Sequence, residues 1–423
     1  MIVFRKFCLG LAAVAVLLVL AGVAAGSRSL WQPAAVTAVV ALAIGLGAVP
    51  SLKGYQYTLW ILAAVVAAMV YPTAFIKWGD LDLRNKWLVL AVVQLVMFGM
   101  GTQMSLHDFS GVLKTPRGVL VGIVCHFSIM PLVGFGLTRV FSFPPEIAAG
   151  VILIGSCSSG LASNVMAYIA RSNLVLSVTV TAITTLAAPF LTPLLMKVLA
   201  GTLVEVKFIN MMVEIIKIVL VPIAAALLHD GLKRAPAGQR RGVFIAAAVG
   251  AAALGWLVLG GGWAGLAACF SADVMLGVEL SAFAVGALVF GTVYHLVATR
   301  FAAVDRFMPL ASMAGIVYFT TVTTAAGREN LLKVGALLFL VSVIHNAAGY
   351  FFGYWLSRAA GLDRSSARSV AFEVGLQNGG MASGLAGAMG KLGTVGLAPA
   401  IFSPWMNISG SILANYWSKR PPE

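Results

Sequence analysis

The stretches GSCSSGLASNVMAYIAR (155–171) and FEVGLQNGGMASG (372–384) decide the fold of this chain. Each places glycine and small polar residues inside an otherwise apolar segment that is long enough to cross a membrane. Bilayer hydrocarbon cannot hydrogen-bond an open backbone, so such interruptions occur only where they are buried in protein or line a wet cavity. Two of them in corresponding halves of a chain indicate a binding site near the middle of the membrane, of the kind found in transporters.

The composition is that of an integral membrane protein. Of the 423 residues, 60% are hydrophobic and only 10% are charged, whereas soluble domains carry about 25% charged residues. Apolar runs of roughly 20 residues recur along the whole chain, which predicts an all-α polytopic membrane protein. The formal net charge of +14 lies mainly in short loops. It therefore reflects topology rather than a nucleic-acid partner.

Hydropathy and loop charge together predict about fourteen transmembrane helices. The predicted spans lie near residues 7–26, 32–50, 56–72, 87–103, 117–138, 146–170, 174–199, 207–229, 242–262, 276–298, 307–326, 333–357, 366–390 and 396–418. The first span resembles a signal peptide, but its apolar run is longer than the roughly 7–15 residues of a signal peptide, which favours an uncleaved helix.

Clusters of lysine and arginine define the predicted cytoplasmic side of the membrane. They lie at 5–6, 114–117, 233–241, 364–368 and 419–420, at alternate ends of the predicted spans. Because cytoplasmic loops carry an excess of Lys and Arg, both termini are predicted to be cytoplasmic. The four cysteines lie in apolar segments without a CxxC spacing, so packing is their expected role.

Glu373 is an acidic residue placed well inside an apolar span. A carboxylate at the bilayer centre costs about 2.5–3.5 kcal/mol on insertion scales, so it is expected to face a cavity or a partner. A bound cation is the simplest partner, and a protonated carboxyl hydrogen-bonded within the bundle is the alternative. Ser163 and Asn164 in the first interruption, with Ser177 and Thr181 on one face of the next span, supply the oxygen atoms that a hard cation prefers.

Three long segments resemble the signature segments of the bile acid:sodium symporter family. They are GSCSSGLASNVMAYIARSNLVLSVTVT from 155, EVGLQN from 373 and FSPWMNISGSILANYW from 402. MFGMGTQMSLHDF from 97 and HNAAGY from 345 agree as well. The resemblance covers roughly residues 55–230 and 303–417, and the chain is identified as a bacterial-type member of this family.

The resemblance implies a fold of ten family helices in two inverted five-helix repeats, with a core domain, a panel domain and two crossing discontinuous helices. The family segments would be residues 55–230, with a broken helix at about 146–170, and residues 303–423, with a second at about 366–390. About four further spans are left over. One pair lies in residues 1–54, and a second pair with a basic cytoplasmic loop lies in residues 231–302; both are interpreted as peripheral scaffold or an oligomer surface.

The resemblance also implies which residues bind ions and substrate. The residues that match the first sodium site are Ser163, Asn164, Ser177, Thr181 and Glu373. Those that match the second are Glu373, Val374, Leu376, Gln377 and, in the position of a family glutamine, His126. Those that match the region of the substrate cavity are Asn378, Asn407, Leu161 and Met406.

Three of these positions depart from the family pattern. A neutral imidazole at His126 could coordinate sodium poorly or titrate near neutral pH, or the histidine could instead be bonded to a backbone carbonyl. Leu161 replaces a threonine and Met406 replaces a histidine that relatives commonly carry, so the substrate cavity is expected to be less polar.

A sodium-coupled importer of an organic anion by alternating access is the function that the resemblance implies. The anion would be bile-acid-like, a 2-oxo or hydroxy acid, or sulfonated. The alternatives are an arsenite-type efflux permease, which would use a thiolate such as that of Cys157, and a non-transporting receptor. An enzyme is disfavoured because no hydrolase or intramembrane protease motif is present. The expected partners are sodium ions, a small organic anion and lipid of a bacterial inner membrane; no cofactor is expected, and the oligomeric state is left open.

Overall fold

The computed structural model describes residues 2–49 and 56–420, and these residues form an all-helical bundle. Nine helices of this described part are long and apolar enough to cross a membrane, and shorter apolar helices lie beside them. Helices dominate because each satisfies its backbone hydrogen bonds within its own segment. The prediction of an all-α polytopic membrane protein is confirmed.

The helices, in chain order, are α1 (Ile2–Ala24), α2 (Arg28–Gly45), α3 (Gln56–Val70), α4 (Lys86–Gly101), α5 (Gly111–Lys114), α6 (Pro116–Val140), α7 (Pro145–Ser156), α8 (Ala162–Ile169), α9 (Leu174–Ala200), α10 (Phe208–Ile215), α11 (Val221–Arg234), α12 (Ala237–Leu259), α13 (Gly262–Cys269), α14 (Ala272–Arg300), α15 (Ala303–Ala326), α16 (Arg328–Ala359), α17 (Arg364–Gly375), α18 (Gly379–Ala388) and α19 (Leu397–Ser418). A π-helical turn (Ile216–Leu220) joins α10 to α11, and 3₁₀ turns occupy Leu46–Ala48, Pro72–Phe75 and Leu106–Ser110. Strands β1 (Lys77–Trp78) and β2 (Leu81–Asp82) pair antiparallel between α3 and α4.

Short polar side chains fix where several helices begin. Asn85 accepts a hydrogen bond from the backbone N–H of Trp87 at the start of α4. Asn173 and Asp363 do the same at the starts of α9 and α17. Each cap satisfies one of the N–H groups that a helix start leaves unpaired, which is worth about 1 kcal/mol.

Helix α14 packs against α11 through small residues. A Cβ atom on Gly291 of α14 would lie 2.6 Å from the carbonyl oxygen of Ala225 in α11, so the two backbones are in close contact. The predicted basic connection near 231–241 is mostly helical, because α11 continues to Arg234 and α12 begins at Ala237. The predicted boundary between residues 54 and 55 lies outside the described residues.

A buried cation also joins α14 to α10. The Nζ atom of Lys217, in the π-helical turn, lies 2.5 Å from Glu214 Oε1 and 2.8 Å from Glu279 Oε1. Only 7% of the Lys217 side chain is exposed, while the two carboxylates keep about a third of their surface. We call these three residues the Lys217 triad.

Two helices are interrupted, and their interruptions pair with each other. The first break (residues 157–161) separates α7 from α8, and the second break (376–378) separates α17 from α18. The N–H of Gly160 donates to the carbonyl of Leu376 at 2.9 Å, and the N–H of Asn378 donates to the carbonyl of Ser158 at 2.8 Å. A Cβ atom on Gly160 would lie 2.7 Å from the carbonyl oxygen of Gln377. The crossing therefore requires glycine at 160.

Candidate functional site

The Glu373 carboxylate lies at the end of α17, directly before the second break, and is fully buried. Two hydroxyls from one face of α9 reach it. Ser177 donates to Oε1 at 2.5 Å, and Thr181, one turn further along, donates to Oε2 at 2.8 Å. Both carboxylate oxygens therefore have partners, and neither partner carries a charge.

The first broken helix completes a cluster of oxygen atoms around this carboxylate. Asn164 Oδ1 lies 2.9 Å from Ser177 Oγ and 3.2 Å from Thr181 Oγ1. The Ser163 hydroxyl lies 3.3 Å from Thr181 Oγ1 and donates to the carbonyl of Gly160 at 2.8 Å. The structure thus brings together all five residues that were predicted for the first sodium site, from α8, α9 and α17.

The oxygen atoms of this cluster suit a hard cation. Ser177 and Thr181 each carry one hydroxyl proton, and each lies within hydrogen-bonding distance of both the Glu373 carboxylate and the side-chain amide of Asn164. When both protons point at the carboxylate, the lone pairs of the two hydroxyl oxygens are free to meet a positive ion.

Ser159, in the first break, belongs to the same cluster and was not singled out from the sequence. Its hydroxyl lies 3.3 Å from the carbonyl oxygen of Leu376 and 3.4 Å from Ser163 Oγ. The signal was present in the stretch GSCSSG, where several hydroxyls flank the point at which the helix opens.

The residues predicted for the second sodium site also lie at the second break. The side-chain amide of Gln377 donates to the carbonyl of Val374 at 2.7 Å. Its other polar atom, Oε1, is buried and has no hydrogen-bond partner. The carbonyl of Leu376 already accepts two hydrogen bonds from the first break. An unpaired buried carbonyl oxygen costs about 1–3 kcal/mol unless a donor or a cation meets it.

His126 of α6 contacts both broken helices. Its Nδ1 lies 2.9 Å from the carbonyl oxygen of Glu373, and its Nε2 lies 2.8 Å from the carbonyl oxygen of Cys157. The ring is fully buried. Of the two interpretations drawn from the sequence, this arrangement matches the histidine bonded to backbone carbonyls, and coordination of sodium by His126 stays a prediction.

The residues predicted for the substrate cavity lie on both sides of the crossing. Asn378 is buried, caps α18 by accepting from the N–H of Met381, and lies 3.5 Å from Ser158 Oγ. Met406 of α19 is buried close to the start of α18, and Asn407 donates to its own helix at the carbonyl of Ser403. Asn378 and Met406 therefore both lie at the start of α18. Leu161 lies apart from them, in a cavity beside α8.

That cavity has a volume of about 150 Å³ and reaches the cluster of oxygen atoms. Leu161, Asn164 and Thr181 line its inner wall, and Gln103 and Asp108 line its outer end near the segment that follows α4. It is large enough for water or a hydrated ion, but it is smaller than the roughly 300–1,000 Å³ of pockets for drug-sized ligands.

The sequence of this chain is similar to those of several known proteins. The sequence model of the Sodium Bile acid symporter family matches residues 90–254. An uncharacterized sodium-dependent transporter of Bacillus subtilis, YocS, is 32% identical over 371 residues, which covers 87% of this chain and 92% of that protein.

Two relatives from other kingdoms extend the comparison. A probable sodium/metabolite cotransporter of rice chloroplasts, BASS1, is 28% identical over 366 residues, 86% of this chain and 73% of its own. The human ileal sodium/bile acid cotransporter is 27% identical over 289 residues, 68% of this chain and 65% of its own. The relatives are transporters rather than enzymes. On the match to the family model and on the extent of the similarity to the Bacillus protein, the chain belongs to the sodium bile acid symporter family.

Proposed function

We propose that this protein is a secondary active symporter that imports a small organic anion together with sodium ions, by alternating access. The observation that carries the proposal is the fully buried Glu373 carboxylate, whose only side-chain partners among the described residues are neutral hydroxyls. A carboxylate in such a place is stabilised by a cation that arrives and leaves during transport. No cofactor takes part in this scheme.

The first sodium ion would bind among the side-chain oxygens of Ser163, Asn164, Ser177, Thr181 and Glu373. Three kinds of oxygen, from carboxylate, amide and hydroxyl groups, surround the position, and hard cations prefer such shells. The short distances that join these side chains support this assignment. The cavity beside α8 gives the ion a route past Gln103 and Asp108.

A second ion would use Glu373, the carbonyls of Val374 and Leu376, and the side chain of Gln377. The unpaired oxygen of Gln377 supports this site. His126 would have to give up a carbonyl contact before a ring nitrogen could reach an ion. In the arrangement described above, it contributes by holding the two breaks together.

The anion would bind at the crossing, beside Asn378 and Met406, with Asn407 on the same helix as Met406 and Leu161 on the side of the crossing that faces the cavity beside α8. Helices α8 and α18 both begin at a break, so the positive ends of their dipoles face the middle of the bundle. This polarity favours a carboxylate or sulfonate. The relatives are named as bile acid and metabolite cotransporters, and the apolar residues at 161 and 406 favour an anion with an apolar body.

We also propose how the chain crosses the membrane. Counting each broken helix once, and α10 with α11 as one span, gives about fourteen crossings in all, with both termini in the cytoplasm. The family helices would form two inverted repeats, divided into core and panel domains. The pair α1 and α2 and the pair α12 and α14 would be additions to that plan.

The first test identifies a ligand, and the second tests the site. Purified protein is screened by thermal shift against pyruvate, lactate and taurocholate, with sodium and with potassium; a shift that requires sodium supports symport.

In proteoliposomes, Glu373→Gln should abolish sodium-driven uptake of the ligand that the screen identifies. Glu205→Gln removes an exposed carboxylate and serves as the matched control. Sodium-dependent uptake that persists in Glu373→Gln would refute the assignment.

A further inference from the structure

A groove of about 550 Å³ runs along the outside of the bundle between α16 and α19. Its walls are almost entirely apolar and aromatic, and the aromatic residues with a polar tip are Tyr350, Tyr354, Trp355, Trp405, Tyr416 and Trp417. Large parts of Trp355 and Tyr416 are exposed. The groove shares no lining residue with the cavity beside α8.

One end of the groove adjoins a buried arginine that has no counter-ion among the residues that the structure describes. Only 9% of Arg368, on α17, is exposed, and its guanidinium lies over the ring of Trp417 at 5.3 Å. Its Nη1 donates to the carbonyl of Trp417 at a long 3.5 Å, and its Nε is buried without a partner. In residues 2–49 and 56–420 no carboxylate forms a salt bridge with it.

Such an arginine is suited to binding an anion. A guanidinium carries five N–H donors and keeps its charge, and a buried charge without a partner is strongly destabilising. Trp417 connects the two features, because one side of its ring faces Arg368 while the residue also lines the groove. Arg420, whose guanidinium lies 3.9 Å from the ring centroid of Tyr416, adds a second positive charge at the same end of α19.

We propose that this place binds an anionic phospholipid, with the phosphodiester at Arg368 and an acyl chain in the groove. A planar guanidinium fits the paired oxygens of a phosphate, and the aromatic walls fit the hydrocarbon chain. Basic pockets between transmembrane helices on the cytoplasmic side recognise anionic headgroups in this way. A zwitterionic lipid is disfavoured, because its choline cation would approach Arg368 and Arg420.

The lipid would act on the transport machinery through α17. Arg368 lies five residues before Glu373 on that helix, so a phosphate held at Arg368 fixes the half-helix that carries the carboxylate. The binding site itself does not depend on the proposed transport function.

The test measures lipid binding to the full-length protein in detergent. Phosphatidylglycerol, phosphatidylcholine and glycerol 3-phosphate are titrated separately, with native mass spectrometry and thermal unfolding as readouts. Phosphatidylglycerol should bind and raise the melting temperature, whereas the other two should do neither. Arg368→Gln should weaken phosphatidylglycerol binding at least tenfold. Arg364→Gln, which removes an exposed charge from the start of the same helix, should change it less than twofold.

Further variants keep the proposal open to refutation. Arg368→Lys retains the charge and loses the planar fork, so it should bind phosphatidylglycerol more weakly than the wild type even if Arg368→Gln fails to fold. The proposal is overturned if phosphatidylglycerol binds equally to the wild type and to Arg368→Lys. It is also overturned if the wild type binds phosphatidylglycerol and phosphatidylcholine equally. Glu423→Gln removes a carboxylate side chain from the C-terminal segment and leaves the chain length unchanged. If lipid binds only to that variant, the protein's own carboxylate occupies Arg368 and the proposal fails.

Discussion

Replacing Thr181 by valine removes one hydroxyl from the candidate sodium site and leaves the shape of the side chain almost unchanged. That hydroxyl lies 2.8 Å from Glu373 Oε2, 3.2 Å from Asn164 Oδ1 and 3.3 Å from Ser163 Oγ. Thr181 is also nearly fully buried, at 2% exposure.

The size of the effect follows from the charge of the partner. A hydrogen bond to a charged group contributes about 1.5–3 kcal/mol, and we take the loss of one oxygen from a sodium shell to be similar. Since about 1.4 kcal/mol is a factor of ten in affinity, Thr181→Val should weaken sodium binding about 10- to 150-fold.

The assay is a sodium titration of thermal stability in purified protein, with ionic strength held constant by choline chloride. Thr185→Val is the matched control, because Thr185 lies one turn further along α9, is similarly buried, and donates to the carbonyl of Thr181 in its own helix. The sodium concentration that gives half of the maximal stabilisation should rise in Thr181→Val and stay within twofold of the wild-type value in Thr185→Val. Equal midpoints in the two variants would refute the placement of sodium at this cluster.

Three further predictions concern stability. Gly150→Ala would place a Cβ atom against the backbone carbonyl oxygen of Val395 and should lower the melting temperature by an amount corresponding to about 1–3 kcal/mol, whereas Gly136→Ala, which meets nothing within 4 Å, should not. Lys217→Met leaves the two carboxylates of the Lys217 triad unpaired and should lower the melting temperature, and converting both to glutamine in the same chain should restore it. Hydrogen bonds from Arg84 hold the pKa of the exposed Asp82 carboxyl, in the β1–β2 hairpin, at about 2. Their stabilisation is present above the ordinary pKa and is lost as the pH falls through about 2, so the melting temperatures of wild type and Asp82→Asn should differ at pH 5 and converge toward pH 2.

The membrane class and the positions of the long helices could be predicted from sequence, because hydrophobic length is a strong constraint in a bilayer. The two breaks were also visible, since glycine and serine clustered inside an apolar span indicate a helix that opens within the protein. Glu373 stood out because a carboxylate is rare at that depth. The helix spacing of Ser177 and Thr181 placed both hydroxyls on one face, as the structure has them.

Other features depend on distances between segments that are remote in sequence. The Lys217 triad joins residues 62 positions apart, and neither segment carries a signal for the other. His126 was recognised as a departure from the family, but its contacts with two carbonyl oxygens depend on how α6 packs behind the breaks. The solitary charge of Arg368 was counted among the cytoplasmic cations, because its burial under Trp417 follows only from the packing of α19 against α17.

The crossing of the two breaks has a consequence for how new specificities arise. Its two hydrogen bonds run between main-chain atoms at Gly160, Leu376, Asn378 and Ser158, so apart from the glycine they place little demand on side-chain identity. Residues such as Leu161 and Met406 can then be substituted while the main-chain crossing of the two broken helices is preserved. A fold of this kind can exchange one cargo for another by point substitutions, without rebuilding the ion-binding core.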